Sequence, residues 1–143
     1  MEYLDRRRAE GFGALADRYE RSRPSYPAEL VAWLSHDGPG AAVDVGCGTG
    51  QVAVLLSAAG WDVIGVEPDP RMAAIARSRG VAVIVSTFER WTPPRSDFQL
   101  VAAGTVWHWV DPTAGYDRAA SALRSGGSLA IFRNFYRYDA DVA

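Results

Sequence analysis

The 143-residue sequence is long enough for one domain with a real core, and 48% hydrophobic with 22% charged residues is ordinary for a globular protein. A net charge of −2, with no basic stripe interleaved with aromatics, gives no pull toward nucleic acid or an anionic membrane. No run approaches the about 20 apolar residues of a membrane helix. The N-terminal arginines precede no apolar signal stretch, so a cytoplasmic setting is expected. Arg6, Arg7 and Arg8 form either a solvated helix face or a local basic patch. Cys47 is the one cysteine, which excludes a disulfide framework, and the two histidines, His36 and His108, are too far apart to suggest a metal site.

Phe12, Leu15, Ala16 and Tyr19 fall at helical spacing and predict a helix over residues 9–20. Pro24 and Pro27 interrupt it, and a second helix carrying Leu30, Val31 and Leu34 follows, ending near Gly38-Pro39-Gly40. Residues 1–40 thus form a helical cap, and residues 41–143 an alternating core. In that core Ala41 to Val45 is a short strand entering a glycine-rich turn, and Val52 to Ala59 a helix closed by Gly60. Asp62 to Val66 is the next strand. Asp69 is an expected N-cap with Pro70 at the first helical position, and Gly80 ends that helix. Val81 to Val85 reads as a buried strand, and Phe98 to Ala103 as another after the loop around Pro93-Pro94. Asp111-Pro112 opens a helix carrying Tyr116, Ala119, Ala120 and Leu123, which Gly126-Gly127 breaks before a strand from Ser128 to Phe132. Strands alternating with helices imply right-handed crossovers and a doubly wound α/β fold, its parallel sheet covered on both faces.

In such a sheet, ligands bind beyond the carboxyl ends of the strands where strand order reverses. The first strand-to-helix turn is therefore diagnostic. It runs Asp44-Val45-Gly46-Cys47-Gly48-Thr49-Gly50. Glycines at alternate positions either let backbone amides approach a ligand or merely satisfy a tight turn. Asp44, at the end of a buried strand, needs donors or a cation to offset its burial. Glu67 ends the second strand, where a carboxylate either accepts both hydroxyls of a ribose or caps a helix.

The turn resembles the first motif of class I S-adenosylmethionine-dependent methyltransferases, an acid followed by Gly-x-Gly-x-Gly. Gly50 falls one residue early for the Gly-x-Gly-x-x-Gly of nicotinamide and flavin enzymes, so an NAD(P)-dependent oxidoreductase is the weaker alternative. Val66-Glu67-Pro68-Asp69-Pro70-Arg71-Met72 is similar to the family's second motif. Thr87-Phe88-Glu89 stands in the loop that frames adenine in relatives, many of which carry an acid at the place of Thr87. Asp97-Phe98 to Thr105 resembles the fourth-strand motif, and Leu123 to Leu129 the entry into the fifth strand. The resemblance implies a Rossmann-like sheet and S-adenosyl-L-methionine as cofactor. It implies cofactor contacts at Asp44, Gly46, Cys47, Gly48, Gly50, Glu67, Pro68, Thr87, Phe88 and Gly104. Tyr19 to Pro27 is similar to a subgroup with small-molecule acceptors, in which the leading helix closes over the cofactor. There Tyr19 or Arg23 meets the amino-acid end; the alternative is that Tyr19 is core and Arg23 surface.

Trp107-His108-Trp109 follows the fourth strand on the side where this fold places acceptors. His108 is either a general base or a structural residue hydrogen-bonded beneath the helix cap at Asp111. The two tryptophans read as packing residues that can also line an acceptor pocket. Cys47 is a spacer rather than a nucleophile. The family's domain normally continues past the fifth strand, so that strand is expected to be an exposed edge, open to a second copy or a partner. A truncated product, an isolated piece and a partner-completed subunit are all open at this point. A cofactor-binding module without catalysis accordingly stands beside the enzyme reading.

Overall fold

A computed structural model of the chain describes residues 26–133. The predicted helix over 9–20, Tyr19 and Arg23 lie outside these residues. The described elements are α1 (Ala28–Leu34), β1 (Ala41–Val45), α2 (Gln51–Ala58), β2 (Asp62–Glu67), α3 (Pro70–Ser78), β3 (Ala82–Val85), β4 (Phe98–Gly104), a 3-10 turn (Trp107–Trp109), α4 (Pro112–Ala122) and β5 (Leu123–Phe132). The five strands form one sheet in the order β3-β2-β1-β4-β5, and every neighbouring pair is parallel. The doubly wound α/β expectation is therefore met. Strand order reverses between β1 and β4, which pair through Val43 and Val101, so the turns after these two strands flank the crevice.

Side chains alternate across the sheet with a period of two. On one face Ala42, Leu100, Ala102 and Ala130 meet Leu34 of α1 and Val52 and Leu56 of α2. Val83 on the same face meets Ala73 and Ala76 of α3. On the other face Val43, Val45, Val66, Val101 and Ala103 pack against Ala119 and Ala122 of α4, and against Phe88 and Trp91 from the β3–β4 connection. That connection contains no α-helix. Two aromatic rings take the place of a crossover helix, Phe88 stacking on Trp91 with ring centroids 5.8 Å apart.

Two local expectations are corrected. The strand expected to be buried, β3, is the last in the strand order, and only Val83 within it is buried, while Ile84 and Val85 are 44% and 43% exposed. A β-branched run looks the same in sequence whether one neighbour or two flank it. Beside it, Ile64, Ile84, Trp91 and Pro94 line a shallow cavity of about 380 Å³. At the other end, Leu123 starts β5 instead of closing α4, since Phe98 pairs with Leu123 and Leu100 with Ser128. The extra residues bulge out of the ladder around Gly126, at φ 80°. Among the described residues β5 pairs only with β4.

Candidate functional site

The turn after β1 is built by left-handed backbone. Gly46 and Gly48 hold φ of 59° and 56°, a region that side chains with a Cβ rarely adopt. Cys47 N donates to Val66 O at 3.2 Å, and Gly50 N donates to Cys47 O at 2.9 Å, closing the loop into α2. The two glycines serve differently. A Cβ on Gly46 would lie 3.0 Å from Val106, whereas on Gly48 its nearest side-chain atom would be Met72 Cε at 3.7 Å. Gly46 is thus where the turn touches the residue beyond β4, and Gly48 is where it stays open.

Glu67 joins this turn to the next one. Its carboxylate is 4% exposed; Oε1 accepts from Gly48 N at 2.9 Å and Oε2 from Asp69 N at 2.8 Å. Glu67 thus ties the glycine turn to the residue that caps α3, and two backbone amides hold its carboxylate at the carboxyl end of β2. Asp69 is the expected N-cap of α3, accepting from Arg71 N at 2.9 Å. Asp44, 2% exposed, lies on the same face of the sheet, opposite Gly65 and Ala102 in the neighbouring strands.

The turn after β4 forms the opposite wall. Thr105 has φ of 61°, the one positive value outside glycine among the described residues. For a β-branched side chain this conformation costs about 1–3 kcal/mol and persists only where neighbours over-determine it. Here Thr105 N donates to Phe132 O at 2.7 Å, and Thr105 Oγ1 shares a 2.7 Å hydrogen bond with Tyr26 Oη. The reversed backbone delivers Val106 against Gly46 and leads into the Trp107–Trp109 turn.

Residues 43–131 match the family of methyltransferase domains. The chain belongs to that family. It is 34% identical over 125 residues to an uncharacterized methyltransferase of Mycobacterium tuberculosis, covering 86% of this chain and 51% of that protein. To a trans-aconitate 2-methyltransferase of Methylobacterium radiotolerans it is 35% identical over 123 residues, covering 82% of this chain and 47% of that one. Among solved structures, an S-adenosylmethionine-dependent methyltransferase from Thermotoga maritima superposes with a TM-score of 0.66 at 34% identity, over 84% of this chain and 58% of that one. The chain thus spans about half the length of the curated relatives it matches.

Within this methyltransferase domain the expected site residues separate into two groups. Asp44, Gly46, Gly48, Glu67 and half-buried Pro68 lie at the carboxyl ends of β1 and β2, with Gly104 at the end of β4, whereas Gly50, the N-cap of α2, packs against Ala76 of α3 and Val81. The side chains of Cys47 and Phe88 are buried in the core. The Cys47 thiol packs among Ala53, Ala73 and Ala76, close enough to Gly65 that a Cβ there would sit 2.6 Å from its sulfur. Burial, with the Asp44 and Glu67 charges adding to it, pushes this thiol far above its usual range. Phe88 is 3% exposed and its ring lies between Trp91 and Trp107, so it offers no face to an adenine. Thr87 is half-buried in a turn in which its Oγ1 accepts from Arg90 N at 3.3 Å, and Ser86 N ties that loop to Glu67 O at 3.1 Å.

His108 does not lie beneath the helix cap. Asp111 caps α4 with its own carboxylate, accepting from Ala114 N at 2.9 Å, and Asp111 N donates to Glu89 Oε2 at 3.2 Å. His108 is solvent-exposed, its ring 4.6 Å from that of Trp109. Trp107 packs as expected, 6.2 Å from Phe88 and 5.4 Å from Tyr116 between ring centroids. Sequence reasoning left Tyr26 and Thr105 without roles. Tyr26 stands in the Tyr19 to Pro27 segment, but nothing local signals a threonine in left-handed backbone.

The Cys47 environment makes a pH dependence. The thiol's folded pKa is raised, so its contribution to stability is whole below the ordinary thiol value near 9.0. It is lost as the pH rises beyond that, because only the unfolded chain releases the proton. The urea midpoint is expected to fall progressively above that pH in the wild type and less steeply in Cys47→Ala. Thiol reagents are expected to label Cys47 only after unfolding; ready labelling of the native chain would contradict this burial.

Proposed function

We propose that this domain binds S-adenosyl-L-methionine at the crevice between β1 and β4 and serves methyl transfer to a small-molecule acceptor. The observation that carries the reading is the buried Glu67 carboxylate, fixed by Gly48 N and Asp69 N at the carboxyl end of β2 beside the glycine turn. Glu67 takes the ribose hydroxyls, and the turn is open to the ligand at Gly48, where the side-chain atom nearest an added Cβ is Met72 Cε at 3.7 Å. Asp44 places a buried anion beside the turn, which favours a cationic ligand over a phosphate-bearing one. This agrees with the glycine spacing and sets the oxidoreductase alternative aside.

Bound there, S-adenosylmethionine supplies a methyl group already activated by its sulfonium, so the protein's share is position and exclusion of water. Gly104, Thr105 and Val106 form the wall opposite the turn. His108, exposed on the loop beyond them, is free to take a proton from an acceptor at a ring nitrogen. The small-molecule class draws support from the trans-aconitate relative.

The test is calorimetric titration of the chain with S-adenosylmethionine, S-adenosylhomocysteine and NAD, followed by transfer of a labelled methyl group to trans-aconitate and other small carboxylates. Binding of the first two and not NAD is the expected result. Binding without turnover on any acceptor would favour the module reading, and a preference for NAD would overturn the proposal.

A further inference from the structure

Two hydrogen bonds converge on Thr105, and the cofactor motifs explain neither of them. Its left-handed backbone is held by two hydrogen bonds of 2.7 Å, one from its amide to Phe132 O in β5 and one between its hydroxyl and Tyr26 Oη. Tyr26 is 6% exposed and meets Phe132 edge-on at 5.4 Å. The same ring pair closes over Gly104, where a Cβ would fall 2.8 Å from Phe132 and 3.1 Å from Tyr26 Oη. Beyond Thr105, the chain reversal sets Val106 against Gly46, the first glycine of the turn. The hydroxyl of Tyr26 is thus linked, through one side chain and one strained residue, to the wall facing the Gly46–Gly50 turn.

We infer that Tyr26 and Thr105 are positioning residues, a hydroxyl pair that fixes the left-handed kink after β4 and so holds Val106 against Gly46, which sets the shape of the crevice beside that contact. A site held near its binding geometry loses less freedom when the ligand enters, and strained residues persist where that geometry is used. Without the Tyr26 hydroxyl, Thr105 relaxes toward ordinary β backbone and Val106 leaves Gly46. Tyr26 also immediately precedes Pro27, the N-cap of α1, so the same bond pins the start of that helix to the end of β4.

The inference rests on the cofactor reading above, and its test separates the two. S-adenosylhomocysteine affinity is measured by calorimetry alongside the melting temperature for Tyr26→Phe, Thr105→Val, the double variant, Thr105→Ser and Thr105→Gly. Tyr26→Phe and Thr105→Val are each expected to weaken binding about tenfold, a factor worth about 1.4 kcal/mol. The double variant should be no weaker than either single one, because both remove the same bond. Thr105→Ser, which keeps the hydroxyl, should bind within about twofold of wild type. Thr105→Gly supplies a readout that a purely structural bond would not move: glycine adopts this backbone without strain, so the chain should keep its melting temperature yet bind about tenfold more weakly. Ser35→Ala is the control, removing the 2.8 Å bond from Trp61 Nε1 at the amino end of the sheet, with affinity unchanged. Wild-type affinity in Tyr26→Phe or in Thr105→Gly would overturn the positioning role. Absence of binding by the folded wild type would instead remove the cofactor reading, and this inference with it.

Discussion

Glu67→Ala is expected to weaken S-adenosylhomocysteine binding by about a hundredfold, equivalent to about 2.7 kcal/mol. A hydrogen bond to a charged group contributes about 1.5–3 kcal/mol, and the variant removes the carboxylate proposed to receive the ribose. The loss does not stop at the ligand. Gly48 N and Asp69 N are both buried, and each would be left without its carboxylate oxygen. An orphaned buried amide costs about 1–3 kcal/mol, so with two of them the variant should also lose about 2–6 kcal/mol of stability. Glu67→Gln distinguishes the roles. Its single carbonyl oxygen can satisfy one of the two amides, while its NH2 group faces the other donor. Stability should recover in part, and binding should recover less, because only an anionic pair of oxygens matches two hydroxyls. Wild-type affinity in Glu67→Ala, measured by calorimetry on folded protein, would refute the ribose site.

Gly46→Ala is expected to abolish measurable cofactor binding and to cost about 2–3 kcal/mol in urea denaturation. The φ of 59° alone costs an alanine about 1–2 kcal/mol. The added Cβ would then sit 3.0–3.1 Å from three Val106 carbons. Val106 cannot simply retreat, since Thr105 before it is fixed by hydrogen bonds to Phe132 and Tyr26. The turn must move instead, and the crevice changes shape. Gly48→Ala carries the same backbone penalty but meets only Met72 Cε at 3.7 Å, so its stability loss should be about 1–2 kcal/mol. Equal losses in the two variants would show that the contact between Gly46 and Val106 does not set the fold.

Much of the architecture was legible because its causes are local. Apolar runs of five or six residues bounded by glycines, and an Asp-Pro pair at the head of two helices, act within one turn of chain. Asp69 and Asp111 cap their helices through their own side chains, an interaction with amides two and three residues away. The alternate glycines likewise announced their left-handed backbone without reference to anything distant.

What sequence alone could not decide were the features fixed between segments far apart in the chain. Which strand stands at the sheet edge depends on strand order, and the same β-branched residues that read as buried in β3 are half exposed there. Phe88 read as a wall for adenine and is core, because a β3–β4 connection without a helix needs large rings to cover that face. His108 read more readily as structural and is exposed, because Asp111 already satisfies the cap. The strain at Thr105 runs against its own propensity and exists only because Tyr26, 79 residues away, and Phe132 hold it. The sequence by itself thus determined most of the secondary elements, the left-handed glycine turn after β1 and the acid that ends β2. The tertiary structure decided which of the named side chains face the crevice, because orientation is set by packing between segments that carry no local record of each other.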